Sequence, residues 1–166
     1  MADKANRTAL LSVYNKKRIV DFATTLVLLG WNILASGGTA KHLKEAGVAV
    51  RDVAEFVGEP ILGHRVVTLS REIHAALLSR DTEEDNRELE RIGIPRIDLV
   101  CVDLYPLEET IKAGGTYDEV IEKTDIGGPT MLRSAAKGGR IVISNPDDRT
   151  KVVDWLIEGE KDSANF

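Results

Sequence analysis

The stretch ALLSVYNKKRIVDFATTLVLLGWNILASGGTAKHLKEAG, residues 9–47, decides the fold. Ala9 to Val13 is an apolar run of strand length, and Asn15 follows as a cap for the helix beyond it. Ile19, Val20, Phe22, Ala23, Leu26, Val27 and Leu29 then recur at helical spacing until Gly30 ends the element. Trp31 to Ala35 reads as a second strand. Ser36-Gly37-Gly38-Thr39 turns the chain into a second helix that runs toward Ala46 and stops at Gly47. Strand, helix, strand and helix in this order are the start of a parallel sheet.

The pattern continues outward. Val48 to Val53 is expected as a third strand, and Gly58, Pro60 and Gly63 mark a long loop that carries Arg65 and Thr68. Helices are expected near Glu72 to Ser79 and Asp85 to Ile92. Ile97 to Leu104 is apolar on both sides, as a central parallel strand requires, and ends at Tyr105-Pro106. Tyr117 to Lys123 forms a short helix, and Gly127-Gly128-Pro129 opens another that Gly138 closes. Ile141 to Ser144 is the last strand and Asp147 to Glu158 the closing helix. The expected fold is α/β, three layers α/β/α around a mainly parallel sheet, with a polar, frayed tail after Gly159. In such sheets ligands bind at the carboxyl ends of the strands.

A chain of 166 residues fits one domain. Its 43% hydrophobic and 30% charged residues match an ordinary globular protein rather than a disordered one. A net charge of -5 offers no basic footprint for a polynucleotide, so an anionic ligand needs a local site. The lone Cys101, set among Leu99, Val100 and Val102, is expected to be a buried, reduced thiol, which suits the cytoplasm. Met1 to Thr8 lacks the apolar segment of a signal peptide, and no apolar run approaches the ~20 residues of a membrane span. His42, His64 and His74 show no metal-ligand spacing with one another or with Cys101, so no metal site is assigned.

Five features can carry chemistry, and each has a plainer reading beside it. Ser36, Gly37, Gly38 and Thr39 follow a strand and open a helix, so their N–H groups and hydroxyls can hold a phosphate at the positive end of the helix dipole; the plainer reading is a turn with its cap. Asp125, Ile126, Gly127, Gly128 and Pro129 repeat the form with a carboxylate just outside the helix, where aspartate also serves as a cap. Tyr105 stands where a ligand-facing phenol belongs, or covers the sheet edge. Lys137 closes the helix that Pro129 opens, a place where lysines commonly meet exposed carbonyls. Arg65 and Thr68 lie in the long loop, where an arginine fork can clamp oxygen atoms or simply face water.

Taken together and in order, ASGGTA at 35–40, RVVTLS at 65–70, DLVCVDLYPLEETI at 98–111 and DIGGPTMLRSAAKG at 125–138 resemble one family. It is the inosine-monophosphate (IMP) cyclohydrolase domain of the bifunctional formyltransferase/cyclohydrolase of purine biosynthesis, which has a methylglyoxal synthase-like fold. The likeness runs from SVYNKKRIVDFA at 12–23 to ISNPDDRTKVVDWL at 143–156, and the DIGGP stretch is its most specific part.

The resemblance implies a dehydrative ring closure of 5-formamidoimidazole-4-carboxamide ribotide to IMP without a cofactor. It assigns Tyr105, Asp125, Lys137 and Thr68 to catalysis. It assigns Ser12, Lys16, Ser36, Gly37, Gly38, Thr39, Arg65, Asp103, Ile126, Gly127 and Gly128 to the purine ribonucleotide and its phosphate. It further implies a cytoplasmic homodimer, a cyclohydrolase-like domain over residues 1–158 with a polar tail over 159–166, and no transformylase domain, so that a separate transformylase protein supplies the substrate. Polynucleotide and membrane are not expected partners.

Two departures from the family pattern stand out. The family usually reads RVKTLHP where this chain has Arg65 to Arg71, so Val67 replaces a lysine, and loss of one such charged donor typically costs about 10²–10³ in rate. The usual asparagine before Tyr105 is Asp103, expected to pair with Lys16 or Arg65. A weakened cyclohydrolase and a nucleotide-binding or regulatory module without turnover are both compatible with these changes, and methylglyoxal synthase is a third, more distant possibility. Geometry adds a question: the nine residues from Pro129 to Lys137 span about 13 Å as a helix, so either the chain folds back or a second subunit brings a lysine to Asp125.

Overall fold

A computed structural model describes residues 6–161. Its centre is a five-stranded, all-parallel sheet in the order β3-β2-β1-β4-β5, formed by β1 (Thr8–Ser12), β2 (Asn32–Ala35), β3 (Arg51–Asp52), β4 (Leu99–Val102) and β5 (Ile141–Ile143). Leu10 lies opposite both Leu34 of β2 and Val100 of β4, so β1 is paired on both sides. The helices are α1 (Ile19–Leu28), α2 (Gly37–Glu45), α3 (Ala54–Val57), α4 (Arg71–Leu78), α5 (Glu83–Ile92), α6 (Leu107–Lys112), α7 (Tyr117–Glu122), α8 (Gly127–Lys137) and α9 (Asp148–Ile157).

Successive strand residues point to opposite faces, and here both faces are apolar. Ala9, Leu11, Leu99 and Cys101 pack with Phe22 and Leu26 of α1, Leu43 of α2 and Trp155 of α9. Leu10, Val100 and Val102 pack with Ile73 and Leu77 of α4, Leu89 of α5 and Met131 of α8. The two clusters make the three-layer α/β/α architecture. Burial pushes the Cys101 thiol up to about 11, so it behaves as an apolar core group.

Helix α8 lies tight against α4. A Cβ at Gly138 would meet the Leu77 carbonyl oxygen at 2.0 Å, so glycine is required there for the close approach as well as for ending α8. Arg140, also buried, reaches across to α4, donating from Nε to the Leu77 carbonyl at 2.8 Å and from Nη2 to Ser79 Oγ at 3.0 Å. It closes the carboxyl end of a helix that has no basic residue in its own last turn.

Several boundaries differ from the sequence expectation. The third strand is only Arg51–Asp52, an edge piece whose partners are Leu34 and Ala35. Asn15 does not cap α1: its Oδ1 accepts from the Lys17 N–H at 2.9 Å, a local turn, and α1 starts only at Ile19, behind Arg18 in the left-handed region. Helices α3 and α6 were not anticipated; neither buries a residue fully, so neither carries an apolar stripe to read. The expected tail lies, beyond Lys161, outside the described residues. No helix among the described residues is long and apolar enough to cross a membrane.

Candidate functional site

The strand order reverses between β1 and β4: the chain leaves β1 toward β2 and β3, then returns on the other side as β4 and β5. Loops after these two strands therefore diverge and leave a crevice at their carboxyl ends. One wall comes from β1 and α2. Ser12 Oγ lies 2.6 Å from Ser36 Oγ, and Thr39 Oγ1 accepts from the Val13 N–H at 3.1 Å while donating to the Val13 carbonyl at 3.2 Å. Ser36 occupies the position before α2, yet its hydroxyl bonds to Ser12 rather than to the helix, and the first turn of α2 has no acidic residue. The N–H groups that every helix start leaves without an intrahelical partner are thus not taken by a cap. Gly37 and Gly38 are exposed, and a Cβ at either would meet nothing within 4 Å, so the space over this turn is open.

The floor is built on Asp103, just past β4. One of its oxygens accepts from the N–H groups of Tyr14 and Asn15, the latter at 3.0 Å. The other accepts from Arg149 Nη2 at 2.8 Å. Arg149, 2% exposed, also donates to the carbonyls of Lys17 at 2.6 Å and Asn15 at 3.1 Å. The expected partner of Asp103 was Lys16 or Arg65; its ion pair is instead with a residue of α9. Lys16 stays near: its ammonium donates to the Val13 carbonyl and, at 3.5 Å, to that of Tyr14. Partial burial lowers its pKa, Asp103 pulls the other way, and Arg149 adds to the lowering.

The second wall joins the end of β4 to the start of α8. Tyr105 meets Tyr14 edge to face, with ring centroids 5.7 Å apart and planes at 90°. Burial raises the Tyr105 phenol above its usual value, helped by the carboxylates of Asp125 and Glu122. Asp125 Oδ1 accepts from the Gly128 N–H at 2.7 Å, so the capping reading of this aspartate holds for one of its oxygens. Added Cβ atoms would meet Thr68 Oγ1 at 2.8 Å from Gly127 and Leu104 at 2.7 Å from Gly128; the glycines let α8 sit directly on buried Thr68 and on Leu104. Ile126 is exposed between them.

Arg65 and Lys137 stand differently. Arg65 is exposed in the turn closed by the Ile61–Val66 bridge, its Nε donating to the Leu62 carbonyl at 3.0 Å. Lys137 is exposed at the far end of α8, about 15 Å along an unbroken helix from its start. The chain does not fold back to bring it to Asp125. Sequence reasoning did not single out Tyr14, Lys123 or Arg149. A tyrosine two residues past Ser12, mirroring Tyr105 past β4, was a usable signal for the first. Arg149 lies 46 residues from Asp103 with no local pattern between them.

Comparison with known proteins agrees with this architecture. Residues 18–130 match the MGS-like domain family. The chain is 46% identical over 156 residues to the bifunctional purine biosynthesis protein PurH of Persephonella marina, covering 92% of this chain and 30% of that protein. It is 49% identical over 152 residues to PurH of Oenococcus oeni, covering 89% and 30%. The chain thus spans about 30% of the length of the curated relatives it matches. The crystal structure of ForH superimposes with a TM-score of 0.76 at 40% identity, covering 93% of this chain and 82% of that one. With its all-parallel sheet, its open glycine turn and a match running through both walls of the crevice, this chain belongs to the MGS-like domain family.

Proposed function

We propose that this chain is an IMP cyclohydrolase of purine biosynthesis, closing the ring of 5-formamidoimidazole-4-carboxamide ribotide. The observation that carries the reading is the pairing, across one crevice, of an uncapped glycine turn suited to a phosphate with a wall of Tyr105, Asp125 and Thr68. Likeness to the PurH proteins, at 46% and 49% identity over about nine-tenths of this chain, supports it.

In this reading Ser12, Ser36, Gly37, Gly38 and Thr39 hold the 5′-phosphate by charge-assisted hydrogen bonds, with Lys16 below them. The reaction joins two groups on one molecule, so fixing their approach supplies much of the rate. The carboxamide nitrogen bonds to the formyl carbon and sheds one proton, the formamide nitrogen sheds another, and the formyl oxygen departs with both as water. Tyr105 keeps its proton, because burial and two carboxylates disfavour the phenolate, and donates to oxygen as charge develops there. The Asp125 oxygen not held by Gly128 accepts a proton from nitrogen. Thr68, Arg65, Ile126, Gly127 and Gly128 line the base, Asp103 sets the β1 loop, and no cofactor takes part. The cyclohydrolase-like unit spans residues 1–158. Lys137 joins the set from a second subunit of a cytoplasmic homodimer, and a transformylase reaction supplies the substrate.

Val67 favours the other reading, a nucleotide-binding module without turnover, because it is half-buried against the α4 and α8 core cluster and offers no donor. The test is to incubate the purified chain with the formylated ribotide and follow IMP by absorbance. Acceleration over the uncatalysed rate is expected; IMP binding without acceleration identifies the module instead.

A further inference from the structure

The crevice contains a cation that none of the roles above uses. Lys123 follows α7, and its backbone N–H is anchored on the Glu119 and Val120 carbonyls, each at 3.2 Å. A lysine placed there commonly turns back to the last carbonyls of its own helix. This one extends over the tyrosine pair instead, with Nζ 5.5 Å from the Tyr105 ring centroid and 5.8 Å from that of Tyr14. Both distances lie within reach of a cation–π contact, so two ring faces fix the ammonium without taking its N–H donors. Among the described residues it makes no hydrogen bond or ion pair.

Other cations near the crevice are engaged. Arg149 is held by Asp103 and two carbonyls, Lys16 by the carbonyls that end β1, and Arg65 by Leu62. Lys137 is at the opposite end of α8. An anionic substrate settling against Tyr105 would therefore meet the ammonium of Lys123 with none of its donors taken by another group among the described residues.

We propose that Lys123 is the charged donor of this site, held by Tyr14 and Tyr105 and directed at the oxygen on which charge builds during ring closure. The inference rests on the cyclohydrolase reading. It also accounts for a site in which position 67 is apolar: the positive charge enters from α7 rather than from the loop before α4.

The experiment compares the unaltered chain with K123M, K123R and the remote control K151M in steady-state cyclisation of the formylated ribotide. K123M, which keeps the apolar stem, is expected to lower kcat by about 10²-fold with KM changed less than about threefold. K123R, whose guanidinium also stacks on aromatic rings, is expected to stay within about tenfold of the parent. K151M should leave the rate unchanged. Thermal unfolding of all three should match the parent, separating a chemical role from support of the tyrosines. Acceleration by the parent with K123M equally fast overturns the role of Lys123 and leaves the cyclohydrolase reading standing. A fall in kcat for K123R as large as for K123M also overturns it, assigning Lys123 to ring packing. No acceleration by the parent overturns both.

Discussion

Asp103 shows how one residue sets the local geometry of the crevice. Its two oxygens hold the Tyr14–Asn15 backbone and the Arg149 guanidinium, and Arg149 is almost wholly buried. Removing one partner of a buried pair leaves the other charge without compensation, which is usually worse than never having had the pair. Asp103→Ala should therefore destabilise the fold by about 3–5 kcal/mol in urea unfolding. Asp103→Asn, which retains an acceptor for the two N–H groups, should cost clearly less. Equal stability of the alanine variant and the parent would mean that water, not Asp103, satisfies Arg149. The aspartate that stands where the family pattern has asparagine is in this light paired with the cation of α9.

At the scale of elements, the contact between α4 and α8 carries a titratable group. His74 Nδ1 lies 2.9 Å from Ser134 Oγ, its Nε2 is buried without a partner, and burial lowers its pKa below the ordinary 6.5. The folded chain thus favours the neutral ring, and between the folded and unfolded pKa values the unfolded chain binds the extra proton. This contribution to stability is complete above about pH 6.5 and is lost as the pH falls below it. The difference in urea midpoint between the parent and His74→Gln should shift against the parent as the pH drops from about 7.5 to about 5.5; a difference independent of pH would exclude the effect.

Legibility in the sequence also varied by element. Helices α1, α2, α4, α5, α8 and α9 and the two central strands press an apolar stripe or both faces into the core, so their residue spacing announces them. Helices α3 and α6 have no such pressure and their spacing is mute, while edge strand β3 keeps only two residues of the stretch expected for it. The same divide runs through the site. Ser36 to Thr39 and Asp125 to Gly128 are contiguous turns and can be read locally, whereas the Asp103–Arg149 pair and the Lys123–tyrosine cluster exist only after strands distant in sequence have come together.

For the whole molecule, the separation of Lys137 from Asp125 bears on assembly. One side of the chain, around α6, α7 and the start of α8, exposes Ile111, Tyr117, Ile121 and Ile126 together with Tyr105. Exposed apolar residues in such number suit association, and a closed dimer is the commonest symmetric form. Sedimentation velocity should give a species of about twice 18.2 kDa. Mixing D125N with K137M, each inactive alone, should restore activity if each site draws Asp125 from one copy and Lys137 from the other. A single-chain mass at every concentration, or a mixture as inactive as its components, would place the whole chemistry within one copy.

The reach of Arg149 has a consequence in time as well as in space. It grips the carbonyls of Asn15 and Lys17, more than 130 residues earlier in the chain. As the polypeptide emerges from the ribosome, the strands and the glycine turn can assemble while the loop after β1 still lacks its clasp. The crevice acquires its final shape only when α9 has been released and docked, so a nascent chain cannot present the finished crevice before α9 is made.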